Sequence, residues 1–239
     1  MSMNKRVVWT LTAVVGLALA AFASPALAQT PTGPHGEKLV PLEIKLPLPL
    51  FQGTPKHIKA AATLEKYSAK PRPAFYVPEG AGINLALNKK VTSSDPSPII
   101  GELSMVTDGD KEGADGGYVE LGPGKQWVQI DLDAAANIYA LVVWHYHAEG
   151  RVYHSVVVQV SDDPDFKKAV TVFNNDFDNA LGLGRGKQLE YVDDNRGRLI
   201  DARDAKGEPA KGRYVRLYSN GNTSNDLNHY VEVEVFGKK

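Results

Sequence analysis

The stretch "WHYHAEGRVYHSVVVQVSDD", Trp144 to Asp163, holds three of the chain's six histidines, and no other segment concentrates so much potential chemistry. On a strand alternate residues share a face, so His145 and His147 would project together about 6.5–7 Å apart along the chain, within reach of one metal or one anion. Three readings stay open. Zinc or copper binding suits imidazole, with a third ligand that the spacing does not fix. A glycan site would use His147, Arg151 from the "AEGR" loop and Arg185 as planar donors to sugar hydroxyls, beside an aromatic platform. Otherwise the histidines are structural residues of a strand pair, His154 sharing the side of Val156, Val158 and Val160 at the mouth of the core.

The elements that must position these residues are short runs of β-branched and alternating residues separated by Gly, Asn, Asp and Pro clusters. "QWVQIDL" (126–132), "IYALVVWHY" (138–146), "VYHSVVVQVS" (152–161), "VTVFN" (170–174), "RYVRLYS" (213–219) and "HYVEVEVFG" (229–237) read as strands of one antiparallel sandwich or barrel. Residues 29–82 differ: they hold nine of the fifteen prolines, as in "KLPLPLFQGTP" and "KPRPAFYVP". Proline fixes φ and removes a donor, so this segment should be extended, with one short helix at Ile58–Tyr67. Its apolar residues Leu46, Leu48, Leu50, Phe51, Phe75 and Tyr76 make it an arm laid across the following domain or a partner, because a solvated tether would have fewer of them.

Lys5 and Arg6 precede the apolar run Val7–Ala23, and "SPALA" ends at Ala28. This is the pattern of a secretory signal peptide over residues 1–28, cut before Gln29, with no membrane span in the mature chain. Its removal takes 2 of 27 basic residues and leaves 25 against 28 acidic ones, a net charge of −3 that does not favour nucleic acid. The chain has no cysteine, which excludes disulfides and thiolate metal sites. An exported, periplasmic or secreted domain without disulfides must rest on a large core, helped in some cases by an ion.

"NLALNKKVTSS", "VTDGD", "WVQIDL", "VVVQVSDDPDF", "GRYVRLYS" and "YVEVEVFG" follow one another in an order that resembles the discoidin, or coagulation-factor type C, family of galactose-binding-like domains. The resemblance covers about residues 84–237 and implies an all-β antiparallel jelly-roll sandwich over 83–239. It implies a non-enzymatic module that binds glycans, lipids or proteins through loops at one end. It also implies a structural calcium ion held by Asp108 and Asp110 of "TDGD" and by Glu232. Calcium takes six to eight oxygens, and a glycine turn lets them converge. Gly113 stands where the family often has Thr or Ser. Asp108 and Asp110 could equally cap an ordinary Asp-Gly turn.

Other motifs fail on their spacing. "GLGRGKQ" (182–188) matches neither phosphate-loop pattern and reads as a flexible loop carrying Arg185 and Lys187. "NNDFDN" (174–179) lacks the glycine and closing glutamate of an EF-hand loop and reads as a solvated turn. Two functions from different classes remain: an exported carbohydrate-binding module, and an accessory subunit that docks on an exported protein partner through the arm. A His-based metal-binding protein stands behind both.

Overall fold

A computed structural model describes residues 31–114 and 116–239; the expected signal peptide lies outside the described residues. Twelve strands are formed: β1 (Leu39–Pro41), β2 (Tyr76–Pro78), β3 (Ile83–Asn84), β4 (Lys90–Ser93), β5 (Val119–Leu121), β6 (Lys125–Trp144), β7 (Val157–Ser161), β8 (Val170–Asn174), β9 (Arg198–Asp201), β10 (Ala210–Asn220), β11 (Asn228–Tyr230) and β12 (Glu232–Lys238). All the strand pairs are antiparallel.

The spine is β6. Its first half lies between β4 and β10, with Val215 opposite Ile130, and its second half between β9 and β12, with Val233 opposite Val143. The two expected strands at 126–132 and 138–146 are therefore one strand that serves both layers. It changes layer at the exposed residues Asp133–Ala135, where Asp133 has φ +69°. Between the layers, Val128, Ile130, Leu132, Val158, Val160, Val215 and Leu217 meet Leu141, Val143, Ile200, Val233 and Val235, all but Ile200 at 0% exposure. This is the antiparallel sandwich the period-two pattern implies, consistent with a jelly roll. Burial of apolar surface, without any disulfide, holds it together.

The outer face of the second layer is apolar as well. Ala140, Val142, Trp144, Val231 and Phe236 are covered by Leu42, Ile44 and Phe75 from the proline-rich segment, together with Tyr118 and Leu199. Further ties are Asn195 Nδ2 to the Pro47 carbonyl (2.8 Å) and Arg72 to the carbonyls of Arg196 and Gly197 (2.8 and 2.6 Å). The helix expected at Ile58–Tyr67 is not there. The Glu65 amide donates to the Glu190 carbonyl and the Glu190 amide to the Thr63 carbonyl, so pairing with the sandwich takes the backbone groups a helix would use.

Strand β7 starts five residues later than the sequence implies. Ser155, at φ +52°, breaks the alternation, so Val156 and Val157 are both buried. As a result His154 does not face the core. Its side chain is 43% exposed and its Nδ1 lies 3.0 Å from Glu190 Oε1, while Tyr153 is the buried ring.

Candidate functional site

Beyond Trp144 the chain leaves the sheet, and the histidine-rich segment turns back through Gly150 towards β7. His145 is fully buried. Its Nδ1 lies 3.1 Å from Asp193 Oδ1, and its ring stacks on Tyr153 at 4.3 Å. Burial pushes the Asp193 carboxyl up, opposed by His145 and then by His147. His147 is 1% exposed, with Nε2 2.8 Å from the Lys111 carbonyl. That ring therefore fastens the turn before β5 and does not present itself to solvent. Among the described residues, no group of three His, Cys, Asp or Glu side chains is arranged to hold a metal, so the zinc or copper reading finds no donor set.

The third buried ring, His229 on β11, joins this interior to the surface. Tyr153 Oη lies 2.9 Å from its Nδ1, and Glu120 Oε2 on β5 lies 2.9 Å from its Nε2. Burial, with Arg151 and His145 adding to it, lowers its pKa to about 3, so the ring is neutral. The hydrogen then sits on Nε2 and is donated to Glu120, while Nδ1 accepts from the tyrosine hydroxyl. Arg151 Nη1, 3.4 Å from the same Nε2, cannot donate to a nitrogen that already carries hydrogen.

Around this pair the surface is aromatic and charged. The half-buried rings of Tyr118 and Tyr146 lie 4.8 Å apart at 58°. Arg151 sits 4.7 Å from the Tyr146 ring centre, its Nη2 donating to Glu149 at 2.6 Å. One small area thus brings together two half-buried rings, a guanidinium and two carboxylates; Glu149 is 60% exposed, Arg151 and Glu120 only 12%, and Glu120 is oriented by a neutral histidine. Of the three residues expected to read a glycan, Arg151 lies in this area. Arg185 does not join it in any described contact: it is exposed and lines a separate groove of about 320 Å³ with Thr171, Phe173 and Lys187. Tyr118, Tyr146 and Glu120 escape a sequence reading because their partners are distant in the chain. The alternation that sets His145 and His147 on one side does put Tyr146 on the other.

The expected calcium residues lie elsewhere. Glu232 opens β12 with no exposure: Oε2 accepts the Gly109 amide at 3.1 Å, and Oε1 is buried without a partner. Burial first, then Glu234 and Asp108, push its carboxyl up to about 9. The orphaned oxygen, close enough to Asp108 to feel its charge, is the feature that favours a cation here, but among the described residues Asp108, Asp110 and Glu232 are not arranged as a three-residue metal group. Asp108 and Asp110 are alike here: each Oδ1 accepts the amide two residues on, Asp110 N to Asp108 at 2.8 Å and Glu112 N to Asp110 at 2.9 Å, the pattern of an Asp-capped turn. Gly113 has a packing reason: its φ is +61°, and a Cβ would come 2.8 Å from Val231 Cγ2. The rival loop at 174–179 spends its oxygens on itself, for buried Asp176 accepts the amides of Ala180 and Leu181.

The geometry defines an antiparallel β-sandwich carrying, at the 146–151 loop and the β5–β11 pair, a patch of aromatic and charged side chains. Solved structures similar to the chain include a fucose-binding module from Streptococcus pneumoniae, at 19% identity over 66% of this chain and 99% of that one, with a TM-score of 0.46. A chitosan-binding module of a Paenibacillus chitosanase/glucanase is similar at 22% identity over 65% and 99%, TM-score 0.40. A family 89 glycoside hydrolase from Clostridium perfringens matches at 18% identity over 66% of this chain and only 15% of the enzyme, TM-score 0.46. No family model matches the sequence, and no curated protein matches it.

Proposed function

We propose that the chain is a non-catalytic, exported carbohydrate-binding module that reads a glycan at the Tyr118–Tyr146–Arg151 surface. The observation that carries this is the tilted tyrosine pair with a guanidinium stacked on one ring and Glu120 alongside. Ring faces cover the apolar side of a sugar, and the guanidinium and carboxylates pair with its hydroxyls in fixed directions. Glycan-array binding or affinity electrophoresis on polysaccharides tests it. Tyr146→Ala and Arg151→Ala should each weaken retention about ten-fold or more, as removal of a central anchor does, while the melting curve stays cooperative. A folded protein that no polysaccharide retains sinks the proposal.

Calcium would be held by Glu232 with Asp108 and Asp110 of the neighbouring turn. Its chemistry there is structural: a charge that keeps the Glu232 carboxylate ionised and ties β12 to the turn. The accessory-subunit reading is favoured by one observation. Leu46, Leu48 and Leu50 alternate along the proline-rich segment at 49, 74 and 54% exposure. Changing all three to serine should abolish co-purification of an exported protein partner from the native host and leave glycan retention as it was; an unaltered set of co-purifying proteins defeats this reading.

A further inference from the structure

Between the proline-rich segment and the loop before β9 lies a groove of about 230 Å³. Lys66, Lys70 and Arg72 line it from one side and Arg196 and Arg198 from the other, against only Glu65 and Asp194. Five basic groups to two acidic ones is a local excess in a chain whose totals are 27 and 28. Two of the arginines are already matched. Arg196 forks onto Asp194 at 2.8 and 2.6 Å, and Arg198 Nη1 meets Glu65 at 2.6 Å. Arg72 is different: it donates to two carbonyls, which fasten the segment to the sandwich without supplying a counter-charge. Burial and the Arg196 guanidinium hold its pKa below the usual arginine value.

Asp194 and Glu65 offset part of this, but both carboxylates are already bonded to Arg196 and Arg198. A buried guanidinium bonded only to carbonyls is therefore one that an oxyanion would relieve through charge-assisted hydrogen bonds. Tyr67, 42% exposed, adds an aromatic ring to the groove, with Arg196 5.4 Å from its centre. The groove has room for a ligand of at least the size of one sugar residue.

We propose that this groove is a second ligand site, which takes the carboxylate of an acidic sugar residue on Arg72 with the sugar ring beside Tyr67. Recognition of the anion stands on the groove alone; the choice of a sugar acid rests on the glycan-binding role proposed above. Calorimetric titration of the full chain with glucuronate, glucose and sulfate tests it. Glucuronate should bind, sulfate should compete, glucose should not bind here, and affinity should fall as salt rises. Arg72→Gln should weaken glucuronate about ten-fold or more, and the exposed pair Lys66→Gln/Lys70→Gln about two- to five-fold. Tyr146→Ala should leave this titration unchanged, and the lysine pair should leave retention on neutral polysaccharide unchanged, so the two sites fail separately. Glucuronate binding no tighter than glucose, or unaltered in the lysine pair, overturns the site. Sulfate binding without glucuronate binding overturns the sugar-acid assignment. Should Arg72→Gln fail to fold, the lysine pair decides.

Discussion

Glu232 has a titration whose sign separates an ion-binding carboxylate from an inert buried acid. Its folded pKa of about 9 lies above the ordinary 4.5, so between these values the folded chain holds a proton that the unfolded chain has released. Stability from this group is complete below about 4.5 and is lost as pH rises through about 9. His229 works the other way. Its folded pKa of about 3 lies below 6.5, so its contribution is complete above 6.5 and lost as pH falls towards 3. Above about 6.5, then, the slope belongs to Glu232 and not to His229. In chelator the melting temperature should decline from there to pH 9. Calcium must displace the Glu232 proton, so the increment it adds should grow across the same window. Glu232→Gln keeps the shape and removes the charge; the decline should become shallower, leaving what buried Asp193 contributes, and the calcium increment should vanish. Thermal scans that are identical with and without calcium at every pH would eliminate the ion.

At the scale of the element, the loop between β8 and β9 carries more than a connection would. Trp144 Nε1 donates to the Asn195 carbonyl at 3.0 Å, and Gly197, at φ +60°, lies flat against the indole. A Cβ at Gly197 would come 2.6 Å from Trp144 Cε2, in a conformation that L residues rarely adopt. Gly197→Ala should therefore cost about 2–4 kcal/mol, overpacking added to backbone strain, read as a lower urea midpoint at unchanged slope. A loss under about 0.5 kcal/mol would mean that the loop gives way freely. The strands themselves are legible in the sequence because "WVQIDL" and "VEVEVF" alternate, and alternation follows from burying one face. The continuity of β6 is not, since 126–132 and 138–146 read as separate strands, and what joins them is β10, which pairs with 125–131 and again with 136–138 across an irregularity. Nor is the early end of the alternation at Ser155, a backbone rotation with no side-chain signature. Arg151 is legible as a loop cation. Its aromatic neighbours are not, because Tyr118 meets Tyr146 only through tertiary packing.

For the whole molecule, the question is whether the proline-rich segment and the sandwich stand or fall together. Residues 31–239 form one compact unit. The segment's backbone is bonded to itself through β1 and β2 and from the Leu42 amide to the Phe75 carbonyl, and it is bonded to the sandwich through Glu65 and Glu190. Its side chains Leu42, Ile44 and Phe75 cover an apolar face that would otherwise meet water. Exposing such a face costs about 25 cal/mol for each Å² of apolar surface, so a state with the segment detached should be sparsely populated. Hydrogen exchange under native conditions reads this directly. The Leu42 and Glu65 amides should exchange with free energies near those of β12 amides, and urea unfolding followed by tryptophan fluorescence, with Trp144 beneath the segment, should coincide with unfolding followed by circular dichroism. If the Leu42 and Glu65 amides exchange at once while β12 stays protected, or if fluorescence changes at lower urea than the dichroism, the segment opens on its own. The groove at Arg72 would then exist for only a fraction of the time, and its apparent affinity for an acidic sugar would fall by that fraction.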